Sequence, residues 1–139
     1  MNWTVDRPGP PAGVEWDPVA DTYRRLGGAA GKGRSYFDTI FPWSHMRLCN
    51  LADDGTVNAY YGDPEYVEDG SNGQVMVEVR KCQYRHRIAG GRYSWEIPQV
   101  TWPGYKWHPA FVRDRRLIDR IYIGAYEGCA YDVSAGAYH

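Results

Sequence analysis

The sequence predicts a mainly β fold of the α+β kind, with antiparallel hairpins, long Gly/Pro loops and one short N-terminal helix. Three features predict it. Apolar and polar residues alternate with period two within Gln74–Ala89 and again over Arg92–Ile97. The Gly90-Gly91 pair between those runs is a two-residue hairpin turn. The composition, with 16 Gly and 12 Tyr among 139 residues, is Gly- and Tyr-rich and points to β structure.

Each element follows in order. Residues 1–15 hold Pro8, Gly9, Pro10, Pro11 and Gly13, and proline fixes φ while removing donors, so they read as an extended arm. Trp3, Pro8, Pro10 and Pro11 are its candidate assembly residues, lying on a neighbouring subunit. Asp17-Pro18 is an N-cap followed by proline at the first helical position, and Val19, Tyr23 and Leu26 follow at helical spacing. The expected helix spans 18–26 and stops at Gly27-Gly28. The run Gly27–Gly33 has the glycines of a phosphate loop but lacks the strand before it and the Lys-Ser/Thr after it.

From residue 45 the chain reads as a meander. His45–Leu51 is a strand, Asp53-Asp54-Gly55 a turn and Thr56–Tyr61 the returning strand. A polar loop covers 62–73. Val75, Val77 and Val79, opposite in phase to Met76, Glu78 and Arg80, predict a strand with the valines buried. Three prolines exclude 98–110 from any central strand, leaving an aromatic-rich irregular loop. Strand-turn-strand is expected over 111–123, and a helical turn over Arg113–Ile121 is the alternative, since Leu117, Ile118 and Ile121 sit at helical spacing. The domain proper is expected at 16–133 as a single β-rich unit, with 134–139 a flexible tail.

The Gly-Gly turn sets a register. Ala89 should oppose Arg92, Ile88 Tyr93, His86 Trp95 and Tyr84 Ile97. On the other surface Arg87 should meet Ser94 and Arg85 should meet Glu96. Apolar pairs on one face and an ion pair on the other are what a half-buried hairpin requires, so the ring-bearing face is expected inward.

Composition excludes several classes. Leu, Ile, Val and Phe make up only about a sixth of the chain. The 12 Tyr, 6 Trp and 3 Phe supply the missing apolar area, so an aromatic core is expected. A net charge of −1 opposes nucleic-acid binding through general basicity. No apolar run is long enough for membrane insertion, and the first residues lack the pattern of a secretory signal. Cys49, Cys82 and Cys129 are an odd count without CxxC spacing and read as free thiols rather than a disulfide framework or zinc site.

No catalytic constellation emerges, and the chain is expected to be no enzyme and to need no cofactor or metal. Cys82 and His86 share a strand face but lie about 13 Å apart by strand rise, too far for a nucleophile–base pair. The acidic turns at Asp53-Asp54-Gly55 and Glu68–Gly73 offer oxygens for calcium, yet turn chemistry accounts for them equally. The better candidate is the proline-stiffened loop, where Trp102, Tyr105, Trp107 and His108 are the candidate partner- or glycan-binding residues.

Three blocks carry a resemblance. Gly73-Gln74-Val75-Met76-Val77-Glu78-Val79, Gly104-Tyr105-Lys106-Trp107-His108-Pro109-Ala110-Phe111-Val112 and Ile121-Tyr122-Ile123-Gly124-Ala125-Tyr126-Glu127-Gly128 occur in an order and spacing that resembles phage and prophage tail-fibre proteins. The run Cys49-Asn50-Leu51 to Asp54-Gly55-Thr56-Val57 fits ahead of them, and the likeness covers roughly 35–132. In that family such a segment leads into a C-type-lectin-like domain related to formylglycine-generating enzymes. The Trp-Gly-Asn-rich motif of that domain has no counterpart in this sequence.

The resemblance implies a non-enzymatic virion component, made in the host cytoplasm. Its role would be that of a tail-associated structural, fibre or host-attachment protein. The implied partners are other virion proteins, copies of the chain itself, and a host-surface glycan or protein. A capsid decoration or head-fibre protein and a stand-alone carbohydrate-binding module are the alternatives.

Overall fold

The computed structural model of the chain describes residues 8–128 and 131–138. Its strands are β1 (Ala12–Asp17), β2 (Thr22–Gly27), β3 (Arg47–Leu51), β4 (Val57–Tyr60), β5 (Gln74–Arg80), β6 (Gln83–Ala89) and β7 (Arg92–Ile97). The later ones are β8 (Lys106–Trp107), β9 (Val112–Arg113), β10 (Arg116–Leu117), β11 (Arg120–Gly124), β12 (Tyr131–Asp132) and β13 (Ala137–Tyr138). Short 3-10 turns occupy Arg34–Thr39, Trp43–His45 and Pro109–Phe111. The fold is mainly β, as the sequence predicts.

The expected helix at 18–26 does not form. Residues 18–21 are a turn, and β2 pairs antiparallel with β1 from Asp17↔Thr22 to Ala12↔Gly27. The side chain of Asp17 does accept from the backbone N–H groups of Val19 and Ala20, at 3.0 and 3.1 Å. That bond closes a hairpin turn here, because the same Asx geometry opens either structure and the ladder to β1 offers the backbone a better partner. Asp21 completes the turn at φ 50°.

The N-terminal arm also ends sooner than expected. Strand β1 begins at Ala12 and pairs with β2 on one side and β7 on the other, so residues 12–15 are sheet rather than arm. Pro11 is buried, and its carbonyl accepts from the N–H of Gly28 at 3.1 Å. Trp3 lies outside the described residues. At the other end, the expected loose tail carries β13, which pairs with β12.

In place of the single unit expected over 16–133, the chain divides into two compact units. One is formed by the chain up to His45 with Arg80–Arg120, the other by Met46–Val79 with the chain from Ile121 onward. The first carries a five-stranded sheet in the order β2-β1-β7-β6-β8. The run Gln74–Ala89, continuous in sequence, breaks at Lys81-Cys82 because the backbone there bonds elsewhere. The N–H of Lys81 donates to the Asp119 carbonyl at 2.9 Å, and the Cys82 carbonyl accepts from His108 N–H at 3.1 Å. A small core of this unit gathers Ala12, Ala29 and Ile40, with Tyr36, Phe37 and Trp43 packed against it.

The second unit carries a four-stranded sheet in the order β11-β5-β3-β4. Of the valines expected inside, Val79 is buried, while Val75 and Val77 are half-buried. Asn50, wholly buried in β3, pairs by its side chain with the backbone of Val67: Nδ2 donates to the carbonyl at 2.7 Å and Oδ1 accepts from the N–H at 3.0 Å. A side-chain amide thereby satisfies a loop segment that no strand reaches.

The register of the Gly90-Gly91 hairpin is the one the sequence predicts. Arg85↔Glu96, His86↔Trp95, Arg87↔Ser94, Ile88↔Tyr93 and Ala89↔Arg92 are all paired. Both glycines take positive φ, 57° and 73°, which a two-residue primed turn demands. The expected facing is reversed, however. Ser94 and Glu96 are buried, whereas Ile88 is 61% and Trp95 38% exposed.

Candidate functional site

The reversed facing creates the most distinctive surface of the first unit. On β2, β1, β7 and β6 the residues Tyr23, Trp16, Tyr93 and His86 or Ile88 occupy neighbouring positions on one face, through the pairs Trp16↔Tyr23, Trp16↔Tyr93 and Ile88↔Tyr93. Their rings form a row. Trp16 stacks on Tyr23 with centroids 6.3 Å apart and meets Tyr93 at 5.5 Å. His86 stacks on Trp95 at 5.1 Å and on Tyr93 at 6.3 Å, with interplanar angles of 16°. Cross-strand aromatic neighbours of this kind hold one another in place. Tyr23, at the end of the row, is 68% exposed.

Beside the row lies an apolar hollow of about 230 Å³, lined by Val14, Trp95, Ile97, Phe37, Trp43 and Arg25 among others. The Arg25 guanidinium sits over the Phe37 ring, 5.1 Å from its centroid.

The opposite face of the sheet is polar. Glu96 receives Arg85 Nε at 2.9 Å and Arg87 Nη2 at 3.2 Å. Glu15 receives Arg24 Nη2 at 3.0 Å, and Asp17 receives Arg92 Nε at 3.4 Å. The Tyr105 ring covers Arg85 at 4.5 Å, and its burial pushes the phenol above its ordinary pKa, with the Glu96 charge adding to the shift. Acidic and basic side chains thus interlock across four strands and leave the other face for the rings.

A second candidate site in the same unit is an open cleft of about 500 Å³. It is lined by Phe41, His45, Lys81, Cys82, Gln83, Trp107, Asp119 and the segment 98–101, with Arg80 at one end. Lys81 Nζ bonds Asp119 Oδ1 at 2.7 Å and stands over the Trp107 ring at 5.8 Å. The Lys81 ammonium holds the Asp119 carboxyl below its ordinary pKa. Cys82 is buried, and burial pushes its thiol up, which keeps it protonated and a poor nucleophile. Lining the same cleft as His45 therefore does not make Cys82 a nucleophile in a pair.

The residues singled out in the proline-rich loop separate. Trp107 lies on β8, is 36% exposed and lines the cleft. Trp102 is half-buried and donates its backbone N–H to Gln83 Oε1 at 2.8 Å. Tyr105 is buried against Arg85 rather than presented outward. His108 accepts from the Ala110 N–H through Nδ1 at 3.2 Å, with its ring 5.0 Å from Tyr84. Pro8 is half-buried and Pro10 exposed.

Sequence reasoning missed the ring row because Trp16 fell between the expected arm and the expected helix, and Tyr23 read as helical. Their cross-strand contact with Tyr93 needs the β1–β7 pairing, which joins segments far apart in the chain. Gln83, His45 and Phe41 carried no local signal at all.

In the second unit both acidic turns line one hollow of about 410 Å³. Their carboxylates serve the turns themselves: Asp54 Oδ1 accepts from Thr56 N–H at 2.8 Å and Asp69 Oδ1 from Ser71 N–H at 2.9 Å. No helix among the described residues is long and apolar enough to cross a membrane.

No family model, curated protein or solved structure matches this chain.

Proposed function

We propose that this chain is a non-enzymatic building block of a phage particle, tail-associated, which joins neighbouring virion subunits through the aromatic face of its five-stranded sheet. The observation that carries the docking role is the row Tyr23–Trp16–Tyr93–His86–Trp95 on the side of the sheet where Tyr23, Ile88 and Trp95 remain exposed. The particle assignment rests on the three-block resemblance to tail-fibre proteins.

Physical arguments support the docking role. Exposed apolar patches larger than scattered single residues mark interaction surfaces. Trp and Tyr are enriched at the centres of protein interfaces. Rings already stacked on one another have little rotamer freedom left to lose on docking, which lowers the cost of association. The rings also spend their faces on each other, which suits packing against another protein surface better than stacking on single sugar rings.

The buried apolar residues point the same way. Among the described residues they include the small Ala12, Ala29, Ala59, Cys49 and Cys82 and the larger Ile40, Val79, Tyr105 and Phe111, so few of the chain's many aromatic rings are fully buried within it. Contact between subunits would supply the burial that the chain's own core lacks. Copies of the chain and other virion proteins are the partners in this reading, and host attachment is the role of the assembly.

Imaging of the assembled particle tests the proposal. Density for the chain in the tail, with the ring face against a neighbour, supports it. Density on the capsid lattice favours a decoration protein instead. Absence from the particle, or a ring face open to solvent there, overturns it.

A further inference from the structure

We propose that the cleft of the first unit is a binding site for a neutral sugar ring, separate from the aromatic sheet face. Its size, about 500 Å³, falls in the range of small-molecule sites. Its lining combines what a polyhydroxylated ring requires, an aromatic surface for the C–H face and fixed polar groups for the hydroxyls.

Trp107 supplies the aromatic surface. Its backbone is held by pairing of β8 with β6, where Gln83 opposes Trp107 and Tyr84 opposes Lys106. Phe41 contributes a second ring to the lining. Unlike the rings of the sheet face, Trp107 stacks on no other aromatic ring among the described residues, and Lys81 is the cation that approaches it.

Gln83 supplies a fixed donor. Its side-chain oxygen is committed to the Trp102 N–H at 2.8 Å, which sets the orientation of the whole amide. The residue is only 8% exposed and lines the cleft. An amide held by its oxygen can offer its two N–H donors only in fixed directions. The ion pair of Lys81 and Asp119 places a donor and an acceptor together on the same lining. A sugar hydroxyl both donates and accepts, so it can bridge such a pair without a net charge on the ligand.

The test is an NMR titration of the isotope-labelled full chain with methyl glucoside, methyl galactoside, methyl N-acetylglucosaminide and methyl glucuronide. Each is taken to about 20 mM, because a single ring with a few hydrogen bonds reaches affinities on the order of 1 mM. Shifts of Trp107 Nε1–H, the Gln83 side-chain amide and Lys81, saturating with at least one neutral glycoside, support the proposal. No saturable shift with any of them, saturation with the glucuronide alone, or shifts that map to Trp16 and Trp95 overturn it.

Two variants sharpen the result. Trp107→Ala should abolish the shifts. Gln83→Glu keeps the oxygen that accepts from Trp102 and removes the donor, so it should weaken binding roughly tenfold while leaving the remaining spectrum in place. Unchanged binding in Gln83→Glu with an intact spectrum would overturn the role of the amide and, with it, this site.

Discussion

Across the Gly90-Gly91 hairpin, Arg85 Nε lies 2.9 Å from Glu96 Oε2, and the carboxylate of this ion pair is buried. The side chain of Glu96 is 11% exposed and also takes Arg87, whereas Arg85 is 34% exposed. The carboxylate is satisfied by two guanidinium groups, one of which is itself covered by Tyr105. This polar ladder buries Glu96 on the face that the alternation pattern predicts to be open.

Glu96→Ala should therefore destabilise the protein. It strands Arg85 partly buried without its counter-charge, and the loss is about 2 kcal/mol once solvent screening of the half-open arginines is allowed for. Urea denaturation measures it. Double replacement of Arg85 and Glu96 by apolar residues should recover part of the loss, and no recovery would mean that the pair is not coupled.

Asn50→Ala should cost about 2–3 kcal/mol, because it leaves both the N–H and the carbonyl of Val67 without their side-chain partner. Asn50→Asp keeps the acceptor and loses the donor, so it should fall between wild type and alanine or below both if the buried charge dominates. Hydrogen exchange of the Val67 amide reads the effect directly: protection should vanish in Asn50→Ala, and retained protection would show that the loop is held by other contacts.

The thiols of Cys49 and Cys82 should be inert in the folded protein. Burial raises both, and the nearby Glu78 carboxylate raises Cys49 further. In a Cys129→Ser background, a thiol reagent at about pH 8 should label neither residue until denaturant is added. Rapid labelling of one thiol under native conditions would contradict its burial.

Acid should destabilise the chain in a defined window. Asp17 is held below its ordinary pKa of 3.8 chiefly by the Ala20 and Val19 N–H groups, Asp54 by Thr56, Asp69 by Ser71 and Asp119 by Lys81. A depressed carboxylate contributes stability that is complete above the ordinary value and is lost as pH falls through the depressed one. The melting temperature should stay level down to about pH 5 and drop below about pH 4. Asp17→Asn should lower the plateau and flatten that drop; a fall already complete near neutrality would implicate other groups.

The legible parts of the structure were those written in neighbouring residues. Gly90-Gly91 requires positive φ, and the pairs on either side agree with only one alignment, so the β6–β7 register follows from the local text alone. The Asp53–Gly55 turn was legible for the same reason, but the strand-turn-strand over 111–123 only in part: β9 turns through Asp114 and Arg115, at φ 48° and 64°, to pair with β10, while the Ile121–Ile123 run lies in β11 beside β5. The β1–β2 hairpin was not legible, because Asp17-Pro18 opens a turn and a helix with the same hydrogen bonds. Of the candidate site, Trp107 was legible as an aromatic on a stiff loop, while Gln83 was not, since nothing near it in sequence shows that Trp102 will hold its oxygen.

Local chemistry by itself determined the mainly β character, the hairpin register and the residues that share each face of it. Only the tertiary structure decided which of those faces turned inward. Alternation assigns side chains to two sides without ranking them, and the ranking depends on what packs there. Glu96 finds Arg87 and Arg85, the latter covered by the Tyr105 ring, so its carboxylate can be buried at low cost. Trp16, Tyr23, Tyr93 and Trp95 are thereby left together on the other side, in a row that exists only because β1 pairs with both β2 and β7.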